Sequence, residues 1–184
     1  MSQNTSPPSD WVSRWCGAIK VGGRVLDVAC GSGRHARLLL EREYRVQAVD
    51  LDISGLADLK GRPNFELLQV DLENAPWPFG DDCFDGIVVT NYLYRPLFSR
   101  LIASLKPGGV LIYETFAKGN GEFGRPSNLD FLLRPGELLA ALNGSSRVIA
   151  YEDVYVESPK PALVQRICAT RLGGPALYFP VLGN

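Results

Sequence analysis

Apolar residues along this chain alternate between two rhythms, and the alternation predicts its elements. Trp11, Val12, Trp15, Cys16 and Ile19 recur at helical spacing behind Ser9 and Asp10, either of which can cap a helix, and Gly22-Gly23 stops it. Residues 24–29 then form an apolar run, 34–43 a helical pattern, and 44–49 a second apolar run that closes on Asp50. A short helical pattern over 53–59 ends at Gly61-Arg62-Pro63, and a third strand over 65–70 closes on Asp71. Residues 73–82, punctuated by Pro76, Pro78 and Gly80, read as a loop. Residues 84–90 are almost wholly apolar, as expected of a strand buried on both faces of a parallel sheet.

The second half continues the alternation. Pro96 suits the first turn of a helix running through Leu97, Leu101, Ile102 and Leu105 and ending at Lys106-Pro107-Gly108-Gly109, after which 110–115 is a fifth strand. The glycine-rich stretch 118–128 is a loop long enough to act as a lid. Arg134-Pro135-Gly136-Glu137 opens a helix to about Leu142, and two β-rich runs, 147–156 and 163–172, predict an antiparallel pair. Together these elements predict an α/β fold: a doubly wound three-layer sandwich on a mostly parallel sheet. Its ligand belongs beyond the carboxyl ends of the strands, where strand order reverses.

Composition narrows the picture. A chain of 184 residues with a formal net charge of −1 suits a single domain and offers no bulk attraction to nucleic acid or anionic membrane. We divide it into a tail with a lid helix (1–22), a nucleotide-binding body (23–174) and an apolar C-terminal tail (175–184). That tail, Leu177-Tyr178-Phe179-Pro180-Val181-Leu182, is expected to dock on its own sheet or to join subunits of a homo-oligomer. Cys16, Cys30, Cys83 and Cys168 are too scattered for a disulfide framework or zinc cluster, so no metal is expected. Without a secretory signal or membrane span, the sequence places the protein in the cytoplasm.

The chemistry lies at the strand ends. Strand one carries Asp27 and runs into Gly31-Ser32-Gly33 and a helix start, which offers free N–H groups. Strands two, three and four end at Asp50, Asp71 and Asn91, so three carboxylates and an amide converge on one crevice. Asp50 follows the glycines at about the twenty-residue spacing of a ribose-binding acid. Gly31-Ser32-Gly33-Arg34-His35-Ala36 also satisfies the dinucleotide pattern, but Asp27 beside the turn would repel a pyrophosphate and favour a ligand carrying an ammonium group.

These residues carry a resemblance. Val25 to Gly33 resembles the first motif of class I S-adenosylmethionine-dependent methyltransferases, and Phe84-Asp85-Gly86-Ile87-Val88-Val89 with Lys106-Pro107-Gly108-Gly109-Val110-Leu111-Ile112 resembles their fourth and fifth strands. The likeness covers about residues 20–172 and implies a seven-stranded sheet with an antiparallel last strand. It implies S-adenosyl-L-methionine as cofactor, with Asp27 acting on the methionine ammonium and Ala29, Gly31 and Gly33 lining the amino acid and ribose. Asp50 would hold the ribose hydroxyls, Leu51 would pack on adenine, Asp71 and the Leu72 amide would meet the ring, and Asn91 would lie near the sulfonium. Asn91-Tyr92-Leu93-Tyr94 departs from the Asn-Pro-Pro-Tyr type used on exocyclic amines, which speaks against adenine or cytosine N-methylation.

On the acceptor side the candidates are Tyr92, Tyr94, Arg125 and His35; the two tyrosines read equally as aromatic walls, Arg125 equally as a solvated or paired charge, and His35, in the first turn of its helix, reads first as a pocket-wall or surface residue. The expected acceptor is a small molecule meeting Tyr92, Tyr94 and residues 123–125 below the 11–15 helix; RNA or protein is the alternative. A nicotinamide-dependent oxidoreductase and a non-enzymatic cofactor-binding module are the readings from other classes. Asp85, at the start of strand four, reads as a structural turn residue.

Overall fold

The computed structural model describes residues 6–175, so the apolar tail centred on Leu177 to Leu182 lies outside the described residues. Seven strands form one sheet: β1 (Arg24–Val28), β2 (Arg45–Asp50), β3 (Phe65–Gln69), β4 (Phe84–Thr90), β5 (Leu105–Phe116), β6 (Ser146–Val156) and β7 (Ala162–Arg171). Their spatial order is β3-β2-β1-β4-β5-β7-β6. The first five pair in parallel, and β7 runs antiparallel between β5 and β6. The last strand is thus antiparallel as expected, but it is inserted and leaves β6 at the edge. Order reverses between β1 and β4, which puts the crevice over the ends of those two strands.

Alternation along the strands explains the two cores. Leu26 and Val28 of β1 pack with Leu97, Leu101 and Leu138, on the side of α3 (Phe98–Ser104) and α4 (Glu137–Leu142). Val25 points the other way, toward Trp11, Ala36 and Leu39, on the side of α1 (Asp10–Trp15) and α2 (Arg34–Glu41). Every residue of β4 is buried, in keeping with its unbroken apolar run.

Ser9 caps α1, its hydroxyl accepting from the Trp11 and Val12 N–H groups. Trp11 is 2 % exposed and its indole N–H donates to the Ile167 carbonyl at 3.2 Å. The body of α1 is therefore fixed on the sheet face, and the part that crosses the strand ends is the segment before it. There the Arg34 guanidinium reaches the Pro7 carbonyl, the Ser9 N–H donates to His35 Nε2, and the Ser9 hydroxyl donates to Glu114 Oε1 at 2.8 Å.

Two further expectations change. The third helix ends at Ser104: Pro107 bars its continuation, Leu105 already pairs with Phe84, and residues 106–109, with Gly108 in the left-handed region, bulge before pairing resumes between Gly86 and Val110. The 118–128 loop is held by a buried Asn120, whose amide donates to the Pro126 carbonyl at 3.0 Å and accepts from the Leu163 N–H at 3.2 Å. Asp85 is structural as expected. Burial opposes its charge, yet the Arg24 N–H at 2.8 Å and Lys106 Nζ at 2.9 Å hold its carboxyl below the usual range.

Candidate functional site

Beyond β1 the backbone turns sharply: Ala29 and Gly31 both have positive φ, and Gly33 starts α2 from the left-handed region. A side chain at Gly33 would also run into Leu56, so this glycine serves the strand-to-helix packing. The turn aims the Gly31 N–H outward, where it donates to Asp50 Oδ2 at 2.7 Å; Asp50 Oδ1 accepts from the Asp52 N–H at 3.0 Å.

Asp50 stands at one wall of an open groove of about 460 Å³, within the range of small-ligand sites. Ala29, Leu51, Val70, Asp71, Leu72, Glu73, Asn74 and Tyr92 complete its lining. Leu51 is 62 % exposed at the lip, an apolar surface open to a flat partner. Asp71 is committed to its own turn, accepting from the Glu73 N–H (3.0 Å), the Asn74 N–H (3.1 Å) and the Asn74 amide (2.9 Å). These bonds, the Asn74 amide first, hold its carboxyl below the usual range. A carboxylate has about four acceptor positions, so one remains for a ligand.

Asp27 lies beneath the turn, 1 % exposed, and its Oδ2 has no hydrogen-bond partner among the described residues. Burial pushes its carboxyl up to about 7, against the Ala36 N–H and Arg34, which favour the charge. A cationic group reaching this depth would be attracted to it.

The acceptor-side candidates separate. Tyr92 lines the same groove as Asp50 and Asp71; its hydroxyl is buried with no hydrogen-bond partner among the described residues, and burial together with the Glu73 carboxylate raises it far above the ordinary range. Asn91, with φ of 55°, turns the chain after β4 and so brings Tyr92 into the groove, while its own side chain is exposed. Tyr94 donates to the Glu73 carbonyl at 3.1 Å, and Arg125 is exposed on the distal loop.

His35 is corrected from a possible base to a buried clamp. Nε2 accepts from the Ser9 N–H at 3.1 Å, Nδ1 lies 3.3 Å from Thr90 Oγ1, and burial, reinforced by Arg34, lowers its pKa to about 3. A ring that is neutral and engaged at both nitrogens has no free lone pair for a substrate proton.

Sequence reasoning missed Val70, Glu73 and Asn74 as groove residues, although the Asp71-to-Asn74 Asx turn that presents them has a local signature. It also missed Arg95, which binds Glu137 through Nε (2.6 Å) and Nη2 (3.1 Å) and donates to the Asp130 and Leu132 carbonyls.

Comparison with known proteins agrees with this geometry. Residues 25–109 match the family model described as a methyltransferase domain. Malonyl-[acyl-carrier protein] O-methyltransferase from Serratia marcescens is 33 % identical over 109 residues, covering 56 % of this chain and 42 % of that protein. Demethylmenaquinone methyltransferase from Paenarthrobacter aurescens is 26 % identical over 144 residues, covering 75 % and 54 %. The chain thus spans about half the length of these relatives. Among solved structures, TehB from Haemophilus influenzae superposes with a TM-score of 0.74 at 18 % identity, over 91 % of this chain and 63 % of that one.

Proposed function

We propose that this chain, a member of the class I S-adenosylmethionine-dependent methyltransferases through its domain at residues 25–109, transfers the donor's methyl group to a small-molecule acceptor. The observation that carries this reading is Asp50, held at 2.7 Å by the Gly31 N–H at the mouth of a groove sized for a nucleoside. A carboxylate in that position can accept both hydroxyl protons of a ribose.

The remaining residues fit the same donor. Leu51, Val70 and Leu72 offer apolar surface for adenine, and Asp71 keeps one acceptor position for its amine. Asp27, with its orphaned Oδ2, is suited to the ammonium end. The same buried acid opposes a pyrophosphate, which disfavours a nicotinamide cofactor.

When bound, S-adenosylmethionine supplies a methyl group on a sulfonium that becomes a neutral thioether. The chain's own contribution is alignment and exclusion of water. His35 is neutral with both nitrogens engaged, and the Tyr92 hydroxyl stays protonated near neutral pH. Neither withdraws a proton, so an acceptor that arrives nucleophilic or already ionised suits these two groups best. Tyr92 joins the donor wall in this scheme, and the relatives that act on malonyl-[acyl-carrier protein] and demethylmenaquinone support an acceptor other than RNA.

Calorimetry with S-adenosylmethionine, S-adenosylhomocysteine and NAD tests the donor. We expect the two sulfur compounds to bind and Asp50→Ala to weaken them at least about tenfold, given about 1.5–3 kcal/mol for a charge-assisted hydrogen bond. Tight NAD binding without a response to either would overturn the reading. With methyl-labelled donor and cell extract, label should enter the low-mass fraction; label confined to protein or RNA would refute the acceptor class.

A further inference from the structure

Among the described residues, four large apolar side chains face solvent around the carboxyl ends of β5 and β6 and the amino end of β7, which runs antiparallel between them. Tyr155 stands opposite Leu163 in β7, and the Leu163 carbonyl accepts from the Ala117 N–H at 2.8 Å while its N–H is held by Asn120. That staple brings Phe123 against Tyr155, ring centroids 5.1 Å apart. Leu129 and Phe131 follow on a turn that Arg95 ties to the end of β4 through the Asp130 carbonyl at 2.6 Å. Phe123, Leu129, Phe131 and Tyr155 are between 43 % and 65 % exposed.

Cations accompany them. Ala117 and Leu133 form a parallel bridge, and the Lys118 N–H donates to the Leu133 carbonyl, so Lys118 and Arg134 leave the bridge side by side. Both are exposed, as is Arg125, and none of the three has a carboxylate within 4.0 Å among the described residues. Of the nearby acids, Asp153 receives the Gly136 N–H and the Tyr151 hydroxyl, while Glu122 and Asp130 stand exposed. Adjacent like charges repel, and exposed rings gain by leaving water.

We infer that this face holds the acceptor, and that the acceptor is an anionic amphiphile: a ring or acyl chain ending in a carboxylate or phosphate. The inference rests on the small-molecule reading above and gives it a substrate class. Continuity supports that occupant, because Arg95, three residues past the groove-lining Tyr92, anchors the apolar turn. The chemistry agrees as well, since an acid that ionises in water brings its own charge to a site whose histidine and groove tyrosine withdraw no proton.

The test is calorimetry on the full chain saturated with S-adenosylhomocysteine, using dodecanoate, dodecyl phosphate and neutral octyl glucoside. One anionic probe should bind saturably at one per chain, and the stronger of the two identifies the head group. Affinity should fall at least tenfold in Phe123→Ser/Tyr155→Ser and at least threefold in Lys118→Gln/Arg134→Gln, with homocysteine-product affinity within twofold of wild type. Absence of saturable binding, equal binding of octyl glucoside, or unchanged affinity in both variants overturns the inference. Failure of the wild-type chain to bind S-adenosylhomocysteine would instead overturn the donor reading, and amphiphile binding is measured separately without it.

Discussion

Asp27 and His35 are buried neighbours of the glycine turn whose titrations oppose one another. Asp27 titrates near 7 in the folded chain, above its ordinary 3.8, so between those values the folded state holds the extra proton and stability falls as pH rises. His35, lowered from 6.5 to about 3, does the reverse: the unfolded chain binds the proton first, and stability falls as pH drops through that window. From these two groups the wild-type profile between about pH 4 and 6.5 is nearly flat. Asp27→Asn removes one slope, so the ligand-free variant should gain stability from pH 4 to 7 and be more stable than wild type at pH 8. Its donor affinity should drop. Thermal unfolding across pH checks the first expectation and calorimetry the second; a variant less stable than wild type at pH 8 would show that Asp27 is charged and paired in the folded protein.

Arg95 shows how a single long-range contact sets an element. It joins the end of β4 to the turn at Leu129–Phe131 and to α4, using a bidentate pair with Glu137 and two carbonyls. Arg95→Ala should cost about 1.5–3 kcal/mol and expose residues 118–137 to protease, because the Asp130 and Leu132 carbonyls and the half-buried Glu137 lose their donor. Limited proteolysis checks this; an unchanged cleavage pattern would remove the clamp's role. Such a contact was not legible in the sequence, since its partners lie 35 to 42 positions away. What was legible is local: β4 matches its apolar run at 84–90, and Asp50 is marked by its spacing from the glycines. The start of β5 was hidden because it rests on the single pairing of Leu105 with Phe84, after which the chain bulges until Val110. That Tyr92 lines the groove was not legible, because nothing local reveals that Asn91 adopts a left-handed conformation. His35 read as wall or surface because its partner Ser9 is 26 positions away.

At the scale of the whole molecule, the groove proposed for the donor draws on the turn after β1, the end of β2, the segment after β3 and the segment after β4, which meet only in the folded sheet. A ligand bound there stabilises the native state alone, by about 2.7 kcal/mol at one hundred times its dissociation constant. For a chain of 184 residues that corresponds to a rise in Tm of roughly 5–10 °C. S-adenosylhomocysteine should therefore raise Tm by this amount in wild type and by much less in Asp50→Ala at the same concentration. NAD should leave both unchanged. Tyr92→Ala separates the two sides of the crevice: as a groove residue it should lose most of the homocysteine-product shift, whereas Phe123→Ser, outside the groove, should retain it in full. A Tyr92→Ala chain that keeps the whole shift would return Tyr92 to the acceptor side.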